Sequence, residues 1–421
     1  MNDAYVIVGA GHAARRAAET LRERSPDIRI VMVGEETELP YDRPVLSKDA
    51  LLMDDGEHRA FIRDANWYED QRIELRLGMR VAKVNRSDRC VILDDGSRIG
   101  YTCLLLATGS RVRRFGGPVN GAVHIHYVRT VADARALRKA LVPGARVTVL
   151  GGGFIGLEVA ASARTRGCAV SLIEPADRLL QRSMPAEVGA FMLELHRRHG
   201  VDVKLATTPV AIDASANAVA SIVTMDASGP SVIHADVVVV GIGVLPNVEL
   251  AESAGLAVDN GILVDAHCRT SDPAIYAAGE VTNHFNPSVG RHVRVESWQV
   301  AENQPAVAAA NMLGDNVAYE ETPWLWSDQY DCNVQTLGFF TANQTKVVRG
   351  DPVQGSFCVL ALDSNGSLAA AVTVNNGRDM GVCRRLVIAR KVISPDRLVD
   401  PGIPLKTFLQ QPVSLIKMLG S

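Results

Sequence analysis

The motif Gly9-x-Gly11-x-x-Ala14 recurs as Gly151-x-Gly153-x-x-Gly156, each time directly after a β-branched run (Tyr5–Val8, Arg146–Leu150) and directly before residues at helical spacing. Strand, glycine turn and helix in that order aim the helix's unsatisfied N–H groups, and the positive end of its dipole, at the turn, where a pyrophosphate binds. Glycine is needed there because the chain turns sharply and a phosphate must approach the backbone. A ribose-binding acid belongs at the end of the next strand, and both copies have one. Glu35 follows Ile30–Gly34, and Glu174 follows Val170–Ile173. Two strand–turn–helix units with two acids predict two bound dinucleotides.

Composition narrows the partners. With 47% hydrophobic and 22% charged residues and a net charge of −3, the 421-residue chain has no overall field that draws it to nucleic acid or an anionic membrane. The first strand is expected from about residue 4, leaving no room for a leader, and the longest apolar run, Val237–Leu245, is too short to span a bilayer. A cytoplasmic protein is expected. The seven cysteines, at 90, 103, 168, 268, 332, 358 and 383, are widely spaced with no CxxC pair, as reduced structural thiols are. His124 with His126, and His196 with His199, are spaced to share a face, but neither pair has a third ligand nearby, so no metal is expected.

The elements divide the chain into a discontinuous domain (1–110 and 240–320), an inserted domain (111–239) and a C-terminal domain (321–421). The first includes a strand ending in Ala107-Thr108-Gly109 and the segment Arg269–Glu280, which closes on Ala278-Gly279-Glu280. The second includes an amphipathic helix over Ala186–His199 and an apolar strand over His234–Val240 that ends in Gly241-x-Gly243-x-x-Pro246-Asn247. A helix is predicted from Trp298 to Leu313, with Pro305 kinking or restarting it. The tail predicts short strands, a hairpin turning at Asn365-Gly366, and a helix from Arg378 to Lys391 with Met380, Cys383, Leu386 and Val387 inward.

This layout resembles the glutathione-reductase-like superfamily of two-dinucleotide flavoproteins along the whole chain. Two segments, Pro40-Tyr-Asp-Arg-Pro-Val-Leu-Ser-Lys48 and Pro323-Trp-Leu-Trp-Ser-Asp-Gln-Tyr330, are similar to those of the FAD-dependent ferredoxin reductases that serve bacterial oxygenase systems. The resemblance implies an α/β fold of two Rossmann-like dinucleotide-binding domains plus a C-terminal α+β interface domain. It implies FAD on the first fingerprint, with contacts from Gly9, Gly11, Ala13, Ala14, Glu35, Arg43, Lys48, Val81, Ala107, Thr108, Gly109, Arg129, Gly279, Glu280 and Trp298. Where relatives usually carry Asp, this chain has Glu280, one methylene longer. NADH is implied on Gly151, Gly153, Ile155, Gly156, Glu174, Gly241 and Gly243.

By the same resemblance, Lys48 and Glu158 form an ion pair beside flavin N5, the helix beginning at Trp298-Gln299 directs N–H groups toward the flavin, and the electron acceptor is a [2Fe–2S] ferredoxin. No cysteine lies in Arg43–Lys48, where a redox thiol sits in disulfide reductases of the superfamily, so no thiol relay is expected. Trp324 and Trp326 are read either as lying between flavin and partner or as packing. Glu174 favours NADH over NADPH, with Arg178 and Arg182 nearby as opposing charges. Arg291, Arg294, Arg384 and Arg385 are expected to form a basic docking face. The same motifs are shared by rubredoxin reductases, NADH oxidases and redox sensors resembling apoptosis-inducing factor, and sequence alone leaves these open.

Overall fold

A computed structural model describes residues 4–121, 124–214, 220–287 and 289–410. Its contacts group the chain into two units: Met1–Arg114 with Tyr127–Arg138 and Gly243–Pro323, and Phe115–His126 with Lys139–Ile242 and Trp324–Ser421.

In the first unit, Ala4–Val8 pairs in parallel with Ile30–Gly34 on one side and with Arg98–Leu106 on the other. Ile73–Leu77 extends one edge, and Ile275–Ala277 pairs in parallel with the strand ending at Leu106. Both faces of this sheet are covered, which is why its strands read as unbroken apolar runs rather than alternating ones. Ile7, Leu105 and Tyr276 pack with Ala14, Ala17 and Leu21 of the helix His12–Arg24 and with Ala308 of the helix Trp298–Met312. Val6, Val8, Leu104 and Leu106 pack on the opposite face with Val81, Val91 and Leu256. Because the neighbours of the first strand lead in opposite directions through the sheet, its carboxyl end at Val8 faces a switch-point crevice.

The second unit repeats the plan. Arg146–Leu150 lies between Ala169–Ile173 and Val237–Val240, all parallel, and the helix Phe154–Thr165 follows the glycine turn. The strand predicted over His234–Val240 is in fact two. Gly229–Ala235 belongs to an antiparallel sheet and Val237–Val240 to the parallel one. The break is at Asp236, whose carboxylate accepts the Arg146 backbone N–H at 2.9 Å and pairs with its guanidinium at 2.7 Å. The C-terminal part of this unit is a five-stranded antiparallel sheet in which Ser356–Leu362 and Leu368–Val374 form the predicted hairpin. The helix Gly377–Ile388 buries Met380, Cys383, Leu386 and Val387, as its spacing predicted.

Two features depart from simple reading. The helix Trp298–Met312 runs unbroken through Pro305, neither ended nor restarted there. Burial on both sides holds it: Gln304, Ala308, Ala309 and Ala310 are inside, and an irreparable loss of one backbone N–H is outweighed by that packing. The segment Tyr127–Arg138 lies beyond the predicted boundary at 110 yet belongs to the first unit. It is tied there by Arg129 to Glu280, by Val131 N–H to the Tyr41 hydroxyl at 3.3 Å, and by Arg135 to Glu57 at 2.8 Å.

Candidate dinucleotide sites

Both fingerprint turns are built the same way. Gly9 has φ +115°, and a Cβ there would lie 2.2 Å from the Ala107 carbonyl oxygen; Gly151 has φ +112°, and a Cβ there would lie 2.5 Å from the Gly241 oxygen. Each first glycine thus packs on the end of the returning strand, and Ala107 and Gly241 are counterparts. Gly156 sits where a Cβ would come within 2.0 Å of the Gly151 oxygen, the close helix-to-turn approach that the third position requires. The helices begin at Gly11 and Gly153, and neither has a side-chain cap or an acid in its first turn. Around Gly153 nothing lies within 4 Å of an added Cβ, and at Gly11 only the Arg43 guanidinium does, at 4.0 Å. Two uncapped helix N-termini facing open glycines fit the pyrophosphates of two dinucleotides.

In the first unit, charged side chains surround this turn. Arg43 pairs with Glu36 at 2.7 Å and donates to the Tyr41 hydroxyl at 2.9 Å and to the Arg129 carbonyl. Arg129 pairs with Glu280, and Gly109, at φ +60°, leaves them room: a Cβ would come within 3.3 Å of Arg129 and 3.4 Å of Glu280. Burial opposes ionisation of Glu280, but Arg129, Arg43 and Arg294 outweigh it and hold the carboxyl below its ordinary range. Gly279 lies over Ala13, 3.1 Å from an added Cβ to the alanine methyl. The structure therefore brings Gly9, Gly11, Ala13, Arg43, Ala107, Gly109, Arg129, Gly279 and Glu280 together. Thr108 is locked by Asn247, whose carbonyl accepts its hydroxyl at 2.7 Å and whose side-chain amide donates to its carbonyl at 2.9 Å.

Other predicted residues sit differently. Glu35 is exposed and pairs with Arg80 at 3.2 Å, while its neighbour Glu36 turns the other way, toward Arg43. Val81 lies in the core beneath the sheet. Lys48 precedes the short helix Asp49–Leu52. Trp298 donates its indole N–H to Asp42 at 3.2 Å, and Ser297 caps the Val300 N–H at 3.3 Å.

Sequence reading missed a buried charge network beside these groups. His12, inside the fingerprint, bridges Asp42 through Nδ1 and Glu302 through Nε2 at 2.6 Å; Arg15 joins Glu302 at 2.6 Å and Glu19 at 2.5 Å. Burial works against a charged His12, but Asp42 and Glu302 overcome it and raise its pKa above 6.5. Glu302 meets the same burial, yet His12 and Arg15 bring it down to about 2. Gln304, also missed, is fully buried and accepts from Gly279 N–H at 2.8 Å and the Thr282 hydroxyl at 2.9 Å. A charged residue within the fingerprint and a Glu four positions after Trp298 were the available signals.

In the second unit, Glu174 ends its strand with both oxygens occupied: one accepts Gly152 N–H at 2.6 Å and the other Ala176 N–H at 2.9 Å. Arg178 is committed to the Met184 and Gln181 carbonyls at 2.8 and 2.9 Å, while Arg182 is exposed. Ile155 is 43% exposed at the helix start. Glu158, on the same helix, is buried and accepts the Ser327 hydroxyl at 2.6 Å. Gly241 lies in this unit, whereas Gly243, at φ +102°, falls in the first, where its carbonyl accepts Arg113 N–H at 2.9 Å.

The cysteines are all free, six of them buried. Burial raises the thiols of Cys103, Cys168, Cys268 and Cys383, and pushes Cys332 and Cys358 up to about 12, far from the thiolate a redox relay requires. Among the described residues no group of three His, Cys, Asp or Glu side chains is placed to hold a metal, and no helix is long and apolar enough to cross a membrane.

Comparison with known proteins matches residues 3–305 to the pyridine nucleotide-disulphide oxidoreductase model and residues 324–409 to a reductase C-terminal model. The ferredoxin–NAD(+) reductase component of the anthranilate 1,2-dioxygenase system of Burkholderia cepacia is 65% identical over 407 residues, covering 97% of this chain and 99% of that protein. The corresponding component of the p-cumate 2,3-dioxygenase system of Pseudomonas putida is 39% identical over 95% of this chain and 97% of its own. Among solved structures, the covalent putidaredoxin reductase–putidaredoxin complex matches with a TM-score of 0.91 at 35% identity, over 97% of this chain and 98% of that one.

Proposed function

The chain belongs to the pyridine nucleotide-disulphide oxidoreductase family, and from that premise we propose that it is an NADH:ferredoxin oxidoreductase that passes electrons through FAD to a [2Fe–2S] ferredoxin. The observation that carries this reading is the pair of uncapped fingerprint helices, in a chain that a dioxygenase-system reductase matches from end to end. The ferredoxin in turn supplies a Rieske oxygenase or a cytochrome P450. Similarity to the anthranilate and p-cumate systems favours a ring-hydroxylating dioxygenase in aromatic catabolism. A cytoplasmic location accords with this role.

In this reading FAD occupies the first unit, against Gly9, Gly11, Ala13, Arg43, Gly109, Arg129, Gly279 and Glu280, and NADH the second, against Gly151, Gly153, Ile155, Gly156 and Glu174. FAD held there would supply two-electron chemistry toward NADH and one-electron chemistry toward the ferredoxin. The protein's part is placement and exclusion of water. Arg43 and Arg129 offset pyrophosphate charge, Lys48 in the first unit and Glu158 in the second are the charged residues assigned to hydride transfer, and Trp298 belongs to the flavin site. The C-terminal domain presents the face for the ferredoxin.

Purified protein loaded with FAD is expected to reduce a [2Fe–2S] ferredoxin with NADH far faster than it reduces rubredoxin or oxygen. Equal or greater turnover with oxygen or rubredoxin would replace this reading with an oxidase or rubredoxin reductase. A long-lived complex with NAD and negligible turnover would replace it with a redox sensor.

A further inference from the structure

A line of hydrogen bonds crosses the second unit from the helix Ala186–Arg198 to Glu158. It runs through the strand Trp324–Gln329, where period-two alternation puts Ser327 and Gln329 on one buried face. Ser327 Oγ lies 2.6 Å from Glu158 Oε1, Gln329 Nε2 lies 3.0 Å from Ser327 Oγ, and Gln329 Oε1 lies 2.8 Å from His196 Nε2. The Tyr330 hydroxyl stands 3.5 Å from His196 Nδ1, and the His199 ring stacks on Tyr330 with centroids 3.6 Å apart.

The direction of every bond follows from the end of the line. The Ser327 hydroxyl donates to the Glu158 carboxyl oxygen. Ser327 Oγ then accepts from the Gln329 amide, whose own oxygen is left to accept from His196, and His196 must carry its proton on Nε2. Burial keeps that imidazole neutral, with its pKa down to about 4. Each donor thus points toward Glu158, and none has a second way to satisfy itself along the line. A carboxylate as buried as Glu158 is costly without such donors. The motif that carries Ser327 and Gln329 lies in the C-terminal sheet, which the resemblance treats only as an interface.

We propose that Ser327, backed by Gln329 and His196, is a positioning residue for Glu158: the C-terminal sheet fixes the rotamer of the carboxylate that serves hydride transfer in the neighbouring nucleotide domain. This rests on the reading of Glu158 as part of that machinery.

The test combines Ser327→Ala, Ser327→Thr, Glu158→Gln and the Ser327→Ala/Glu158→Gln double variant, followed by stopped-flow reduction of the bound flavin by NADH and by thermal melting of the apoproteins. Losing one hydrogen bond to a charged group predicts that Ser327→Ala slows flavin reduction about tenfold, with NADH affinity within about twofold of the parent. Ser327→Thr, which keeps the hydroxyl, restores most of the rate. In the Glu158→Gln background Ser327→Ala adds no further slowing, and its effect on apoprotein melting shrinks. Equal slowing by Ser327→Ala in both backgrounds, or none in the parent, overturns the proposal. A Glu158→Gln enzyme as fast as the parent overturns the reading of Glu158, and the proposal with it, whatever Ser327 does.

Discussion

The two nucleotide units share a turn and differ in what surrounds it. Each sets a positive-φ glycine against the end of a returning strand, Gly9 on Ala107 and Gly151 on Gly241. Around the first turn, however, lie Arg43, Glu36, Arg129, Glu280 and the His12–Glu302–Arg15 network, all held by one another. Around the second are the open Gly153, a half-exposed Ile155 and Glu174, fixed by backbone N–H groups. A ligand that never leaves justifies many preorganised charges, whereas a ligand that must dissociate every turnover is better served by few. Under the proposed division, that is the difference expected between a resident cofactor and an exchanging substrate.

The sharpest way to break this comparison is to fill the same position in both turns. Gly9→Ala and Gly151→Ala each force a side chain into a positive-φ position, a strain of ~1–3 kcal/mol, besides the clash with a carbonyl. If the units divide the work as proposed, Gly9→Ala yields colourless protein without flavin. Gly151→Ala stays yellow but loses NADH-dependent reduction by roughly a hundredfold or more, a barrier of about 3 kcal/mol. Flavin absorbance and stopped-flow reduction distinguish them, and a colourless Gly151→Ala variant would falsify the division.

A second prediction sharpens the exchanging side. Glu174→Ala removes the acceptor of two backbone N–H groups and the carboxylate that repels a 2′-phosphate. The parent is expected to prefer NADH, since Arg178 is spent on carbonyls. In the variant kcat/KM for NADH falls about tenfold, equivalent to a charged hydrogen bond, and the preference over NADPH narrows. A parent that uses NADPH as well as NADH removes Glu174 from that role.

How much of this was legible in sequence depended on the range of the contact. The glycine turns, the Asn365–Gly366 hairpin and the inward face of Gly377–Ile388 are local, because spacing alone decides them. His12 and Glu302 meet across 290 positions, and a titratable residue in the fingerprint and a Glu after Trp298 do not by themselves say that they meet. Glu35 and Glu36 are adjacent acids at one strand end, and only the placement of Arg43 shows which of them faces inward. Of the two outcomes expected at Pro305, a kink or a restart, the restart does not occur, because packing around Gln304, Ala308 and Ala309 carries the helix through. The return of Tyr127–Arg138 to the first unit depends on Arg129 finding Glu280, again a distant pairing.

One histidine from each unit, His12 and His196, gives a third contrast, opposite in sign. His12 has a folded pKa above its unfolded 6.5, so its contribution to stability is full below pH 6.5 and is lost as pH rises through the folded value. His196 is held neutral, down to about 4, so its unfolded form gains protons first and stability is lost as pH falls from 6.5 toward 4. Glu302, held at about 2, adds a loss only as pH falls below its ordinary value near 4.5. Melting followed by flavin release is therefore expected to weaken above neutrality in the parent, and His12→Asn to flatten that alkaline decline. His12→Asn also removes the cation between Asp42 and Glu302, leaving Glu302 to Arg15 and Arg16. An unchanged alkaline slope in the variant would assign the decline to another group.

The smallest expected effect concerns the docking face, where the structure has already altered the expectation. Arg294 is only 10% exposed and pairs with Glu296 at 2.6 Å, so it is not a docking residue. Arg384 and Arg385 are exposed on the helix Gly377–Ile388, but the Arg384 guanidinium lies 5.4 Å over the Trp324 ring, which itself stacks on Trp326 at 5.1 Å. Reversing Arg384 therefore disturbs packing as well as charge, and Arg385→Glu is the cleaner probe. Steering by an exposed charge acts on the association rate and fades over roughly 8 Å at physiological salt. Arg385→Glu is expected to raise the ferredoxin KM by about two- to fivefold at low ionic strength and hardly at all at high salt. Flavin reduction by NADH and transfer to a small neutral dye remain at parental rates, since neither involves that face. A ferredoxin KM and salt slope equal to the parent's would move the acidic partner off this helix, while a loss that persists at high salt would point to a direct contact at Arg385 in place of long-range steering.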